Sequence, residues 1–224
     1  MHAFFRGSCS PESLGRPRRN RWRDVTFAAI LIGLLGASGL AAPRANADPS
    51  LPPTDDELIQ PLPVVVPQPT NWVPKFPFPY DQTRDQITTE DIRVESEMCQ
   101  WYTAQYKILN DQIGRLQFNR ISPNGTDWDY SVNAVQRQVD IVTTNIDQAL
   151  DFLAPRAQAL TQRQDFAGDN YFPLYQGQAF YGLWQQLSNV NNGIKAHQAD
   201  WFTGPSYLRM KRFASEINRS HVCD

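Results

Sequence analysis

TEDIRVESEMCQWYTAQYKILNDQIGRLQFNRI, residues 89–121, decides the fold. Within it Cys99, Tyr102, Tyr106, Leu109, Ile113 and Leu116 follow at steps of 3, 4, 3, 4 and 3. Those steps keep one stripe of a helix turned to a single side. Proline is absent, and Gly114 is the single glycine. Thr88 or Thr89, followed by Glu90 and Asp91, supplies cap and first-turn chemistry. A helix of about 30 residues is roughly 45 Å long, so its apolar face needs other long helices to cover it.

Those helices are legible downstream. From a start at Thr126 or Asp127, the residues Trp128, Val132, Val135, Val139, Val142, Ile146, Ala149 and Leu153 step by 4, 3, 4, 3, 4, 3 and 4. Asn133, Arg137, Asp140 and Gln148 fall on the opposite, solvated face. Pro155 either kinks this helix or opens a new one, and Arg156 to Gln164 continues to read as helical. From Gln176 a third stripe runs through Phe180, Leu183, Leu187, Val190, Ile194, His197 and Trp201, until Thr203-Gly204-Pro205 stops it. A shorter fourth helix, about Ser206 to Arg219, offers Leu208, Met210, Phe213 and Ile217, with Arg209, Lys211 and Arg212 outside. Ser122-Pro123-Asn124-Gly125 and DFAGDNYFPLY, residues 165–175, read as turns. Short links between long amphipathic helices favour antiparallel neighbours. The expected fold over residues 88–224 is an all-α, elongated, up-down-up-down bundle with no sheet.

The first 47 residues read as an address instead of a fold. Arg16, Arg18, Arg19, Arg21 and Arg23 precede the apolar run Val25 to Ala42, and Ala45-Asn46-Ala47 precedes Asp48-Pro49. A positive region, an apolar region and a small-x-small site are the order of an export signal cleaved after Ala47. The alternative is an uncleaved anchor, since about 18 apolar residues just span a bilayer. Ten of residues 49–80 are proline, at 49, 52, 53, 61, 63, 67, 69, 74, 77 and 79. Proline fixes φ and removes the backbone donor, so residues 48–87 read as an extended arm. The second half of that stretch, TNWVPKFPFPY, lies in a groove of its own bundle or forms a docking strip through Trp72, Phe76, Phe78 and Tyr80.

The junction Ala45-Asn46-Ala47-Asp48-Pro49 with its proline-rich continuation resembles exported proteins of mycobacteria and related actinobacteria. The resemblance covers the leader and the proline-rich start. It implies a secreted or cell-envelope location, and it implies no activity and no functional residue.

Charge and cysteine usage fit that address. Residues 1–47 hold 7 Lys/Arg and 2 Asp/Glu of the 21 and 23 in the chain, which leaves 14 and 21, a net charge of −7. A nucleic-acid binder shows the opposite balance. Beyond residue 47 no second apolar run of about 20 residues occurs. Cys9 leaves with the signal, and Cys99 and Cys223 remain. Outside the cytoplasm two cysteines imply a bridge; free thiols or a redox pair are the alternatives. In the antiparallel layout Cys99 lies roughly 30 Å below the far end of helix one, and Cys223 roughly 27 Å below that same end. The levels match.

Catalytic patterns are poorly represented: the sequence has no GxSxG, phosphate-binding glycine loop, HExxH or cysteine-histidine metal spacing. No metal or cofactor is expected. His197 reads as a core or boundary imidazole on its stripe. Glu95 occupies a stripe position too, so it lies at a frayed bundle end or near an internal cavity. The remaining signal is aromatic. Tyr171, Phe172, Tyr175, Tyr181 and Trp184 crowd into a short stretch, with Trp101 and Tyr102 at a comparable height on helix one. They cannot all share one stripe, so they are the candidate binding surface, with an envelope protein, lipid or glycan as partner. Two functions follow from these features: a non-enzymatic exported bundle that binds or scaffolds an envelope partner, or a small helical enzyme or carrier with an interhelical cavity for an apolar or aromatic ligand. Lys107, Arg115 and Arg120 lie off the main stripe, which weighs against an enzyme that holds carboxylates inside the bundle.

Overall fold

The computed structural model describes residues 59–118, 135–198 and 204–224, all within the compact unit Asp48–Asp224. The expected export leader, the expected turn at 122–125, Trp128, Val132 and Trp201 lie outside the described residues. Among the described residues the fold is all-α apart from one small strand pair. After a 3₁₀ segment, Tyr80–Gln86, come α1 (Thr89–Trp101), a π-helical turn (Tyr102–Tyr106) and α2 (Lys107–Phe118). Next are α3 (Val135–Ala159), strands β1 (Arg163–Gln164) and β2 (Asn170–Tyr171), α4 (Gly177–Lys195) and α5 (Pro205–Ser220).

Thr88 starts α1 with a reciprocal cap. Its Oγ1 accepts from Asp91 N–H at 3.1 Å, and Asp91 Oδ2 accepts from Thr88 N–H at 2.8 Å. Asp91 also accepts from the backbone N–H of Thr161 at 2.7 Å and from its hydroxyl at 2.9 Å, tying the start of α1 to the end of α3.

The π turn moves the stripe. Three-four spacing through Tyr102 and Tyr106 assumes an unbroken α-helix, whereas a π turn takes an extra residue and shifts the phase. Gln105 therefore holds the interior position after Trp101, and Tyr102 and Tyr106 are half-buried on the flank. Beyond it Leu109, Ile113 and Leu116 return to the core.

On α3, Val135, Val139, Val142, Ile146, Ala149 and Leu153 are buried, as their spacing demands. The helix runs through Pro155 to Ala159 and then stops, so residues 160–164 are not helical. Arg163 pairs with Tyr171 and Gln164 with Asn170 in an antiparallel hairpin, which corrects the expectation of no sheet. Its turn is closed by Asp165 Oδ1, which accepts from the N–H groups of Ala167 and Asp169 at 2.8 and 2.9 Å, and Gly168 takes φ 85°.

α4 buries Phe180, Leu183, Leu187, Val190 and Ile194, and ends earlier than the stripe suggests. His197 N–H bonds to Ile194 O, Gln198 N–H bonds to Gly193 O, and His197 takes φ 56°. That is a Schellman stop with histidine in the left-handed position. His197 is consequently exposed and off the helix, not a core imidazole. In α5 the buried residues are Tyr207, Met210, Ala214 and Ile217, so Tyr207 takes the place expected for Leu208, which is 58% exposed. α5 packs mainly on α4, where Gly182 admits the Phe213 ring: a Cβ there would meet it at 2.5 Å.

Candidate functional site

Residues 59–79 form neither helix nor strand, and the helices hold their backbone with side-chain amides. Prolines 61, 63, 67 and 69 have no N–H to offer, yet each residue retains a carbonyl that needs a donor. Gln112 Nε2 and Asn145 Nδ2 both donate to Gln60 O, at 2.8 and 3.0 Å. Asn145 Oδ1 accepts from Leu62 N–H at 2.9 Å, and its Nδ2 also donates to Gln112 Oε1 at 2.8 Å. Gln105 and Gln148 both donate to Pro63 O. Gln100 exchanges two bonds with the backbone of Gln68, at 2.8 and 2.9 Å. An amide side chain carries both a donor and an acceptor, so it can match either backbone group. Ile59, Leu62 and Val65 turn inward at intervals of three, while Val64, at 71% exposure, and Val66 face out.

Past Gln68 the segment meets the residues that follow α5. Trp72 Nε1 donates to Val222 O at 2.8 Å, Lys75 Nζ donates to His221 O, and Thr70 and Ser96 share a hydroxyl bond of 2.8 Å. Cys223 is bridged to Cys99 with an S–S distance of 2.06 Å and a Cα–Cα distance of 5.1 Å.

Between these walls lies a groove of about 670 Å³, with Trp72, Val73, Pro74, Thr103, Ala104 and the disulfide among its lining. The π turn presents Thr103 and Ala104 to it; both are exposed. Two further grooves of about 410 Å³ continue it. One shares Thr103, Cys223 and Asp224 and is walled by Tyr102, Tyr106 and Asn110. The other shares Thr70, Trp72, Ser96 and Gln100. His221 Nδ1 and Asp224 Oδ2 pair at 2.6 Å on the rim. Burial pushes the Tyr102 and Tyr106 phenols above their ordinary range, so both remain neutral hydroxyls. The arrangement offers a ligand apolar walls and hydroxyls, the Asp224 and Glu97 carboxylates, and the cations Lys75, Arg93 and Lys107 along the three grooves.

The aromatic residues singled out by sequence do not assemble into one surface. Trp101 is 1% exposed and belongs to the core, because it follows the buried Val94 and Met98 at steps of 4 and 3 on α1. Tyr102 stacks on Tyr106 at 5.0 Å, and its hydroxyl donates to Ala214 O at 2.7 Å. Phe172, Tyr181 and Trp184 pack in series, each ring 5.2 Å from the next. Tyr175 meets Tyr80 edge-on at 4.8 Å, and the Tyr171 hydroxyl donates to Gln86. Within the arm, Phe76 lies under the Arg84 guanidinium at 3.9 Å, while Phe78 is 84% exposed. Of these aromatics, Trp72, Tyr102 and Tyr106 line the grooves. Thr103, Ala104 and Asn110 gave no sequence signal.

Glu95 is fully buried, which corrects the frayed-end alternative. Neither of its carboxyl oxygens has a hydrogen-bond partner among the described residues. Burial pushes its carboxyl well above the usual range, and the neighbouring Asp91 carboxylate adds to the shift. Glu97, two residues further on, faces Arg93 and Arg156 at 2.6 and 2.7 Å. Among the described residues no cluster of three or more His, Cys, Asp or Glu could hold a metal, and no helix is long and apolar enough to cross a membrane. Compared with known proteins, the chain matches no family model, no curated protein and no solved structure.

Proposed function

We propose that this chain is an exported, non-catalytic helical-bundle protein that binds or scaffolds a partner of the cell envelope, the address its leader shares in kind with exported actinobacterial proteins. In this reading residues 1–47 are removed after Ala47, residues 48–87 are a proline-rich arm that ends in the 3₁₀ segment Tyr80–Gln86, and α1–α2, α3, α4 and α5 run up, down, up and down. The observation that supports it is the groove beside Cys99–Cys223, whose walls come from three separate parts of the chain. Its volume of about 670 Å³ falls in the range of specific ligand sites. That volume also favours a second reading, a carrier of an apolar small molecule.

Ala104→Trp tests the reading by filling the groove from an exposed position. Exported wild-type protein should fractionate with the envelope, and the folded variant should be released to the medium. Identical partition of the two would overturn the proposal. A small molecule recovered by solvent extraction from the wild type alone would favour the carrier. Mass spectrometry of the exported form should find Asp48 first, whereas full-length chain recovered from membranes would support an anchor.

A further inference from the structure

We infer that the solvent face of α5 is a docking surface for an anionic phospholipid bilayer, separate from the groove. The argument begins with where the charge lies. Residues 48–224 carry 14 Lys/Arg and 21 Asp/Glu. α5 holds four of those cations, Arg209, Lys211, Arg212 and Arg219, against one acid, Glu216. The rest of residues 48–224 therefore keeps 10 cations and 20 acids, so α5 carries net +3 against net −10 in the remaining sequence. At a Debye length of about 8 Å in physiological salt, a flat charged surface senses the nearest patch more than the distant body.

The position of the charges is as specific as their number. α5 is the most amphipathic of the described helices. Its apolar side is occupied by the core, through Tyr207, Met210, Ala214 and Ile217. At about 100° per residue, Leu208, Arg212, Ser215 and Arg219 fall within roughly 60° of one another on the opposite side. Arg209 and Lys211 flank them, and all six are exposed. Arg212 pairs with Glu216 at 3.0 Å; Arg209 and Lys211 have no acidic partner among the described residues. Lys211 instead lies over the Tyr207 ring at 4.4 Å.

Leu208 decides between anionic partners. A soluble polyanion rewards charge alone, whereas a bilayer interface also takes an aliphatic side chain while flanking arginines stay at the headgroups. An exposed leucine at the centre of a cationic face fits the bilayer.

The test uses residues 48–224, a compact unit by itself, and flotation with phosphatidylcholine vesicles containing or lacking about 30% phosphatidylglycerol. Binding is expected to the anionic vesicles only, and to fall as salt rises. Arg209→Gln and Lys211→Gln should each weaken it roughly fivefold. Leu208→Asn should weaken it at constant charge, with an unchanged melting curve confirming the fold. Equal binding to both vesicle types would overturn the inference, as would binding indifferent to these substitutions. So would capture by a soluble anionic polysaccharide with vesicles left unbound. The Ala104→Trp variant should bind vesicles like the wild type, so failure of the groove reading and failure of this one are separable.

Discussion

At position 95 α1 turns a carboxyl into the core, and the consequence is a pH dependence with a definite sign. The folded state holds the Glu95 proton well above the ordinary value of 4.5, because burial opposes the charge and Asp91 repels it. Below that value both states are protonated and the full stability is present. Above it the unfolded chain has released the proton while the folded one retains it, so stability falls as pH rises toward the folded value. Glu95→Gln keeps the shape and removes the charge. The stability of wild type relative to this variant should decline as pH rises above the ordinary carboxyl value of 4.5 in urea titrations. Parallel curves would mean that the carboxyl is solvated in the folded state. Gly182 is a second residue of this kind, since a Cβ there would lie 2.5 Å from the Phe213 ring. Gly182→Ala should destabilise by about 1–3 kcal/mol through overpacking, despite the better helix propensity of alanine. A denaturation midpoint at or above the wild-type value would show that Phe213 can move aside.

Among the elements, the segment 59–79 depends on single amides. Asn145 is buried and bonds at once to Leu62 N–H, Gln60 O and Gln112 Oε1. Asn145→Leu leaves Leu62 N–H and Gln112 Oε1 without those partners. The expected loss is about 2–4 kcal/mol, since each buried polar group stripped of its partner costs about 1–3 kcal/mol. Hydrogen exchange at the Leu62 amide should rise with it. Unchanged exchange there would mean that packing of Ile59, Leu62 and Val65 alone seats the segment. The π turn is the other element of consequence. It keeps Gln105 inside while Thr103 and Ala104 line the groove, next to Ser96, Cys99 and Gln100 of α1.

For the whole molecule the Cys99–Cys223 bridge joins residues 124 apart, the longest covalent reach in the fold. The chain-entropy model assigns a loop of that size about 4–5 kcal/mol, less any native strain. The bridge also fixes the residues that receive Trp72 and Lys75. Cys223→Ser should therefore lower stability by up to about 4–5 kcal/mol. It should also raise exchange in residues 70–75 and 221–224 while α3 and α4 stay protected. Uniform loss of protection across all helices would show that the bridge holds the fold as a whole and not the groove in particular.

How much of this was legible depends on range. The stripes of α3 and α4 could be read from Val135 to Leu153 and from Phe180 to Ile194, because burying one face of a helix imposes its period on the residues themselves. The Thr88–Asp91 cap and the pairing of Cys99 with Cys223 were local or compositional, and so equally readable. Tyr102 and Tyr106 were misplaced on the core stripe because a π turn adds a residue without a marker of its own. His197 was misplaced because a Schellman stop without glycine looks like continuing helix. Leu208 and Tyr207 were exchanged because adjacent residues of a short helix differ in burial only by what they pack against. The amide ladder on Gln60, Pro63 and Gln68 joins α1, the π turn, α2 and α3 to a distant segment, and the groove needs that segment, the π turn and Cys223 together. The sequence by itself determined which faces are apolar, where the charge is concentrated and that the thiols pair. The tertiary structure decided which polar side chains meet which backbone groups, since such matches depend on distances between residues far apart in the chain and leave no period behind.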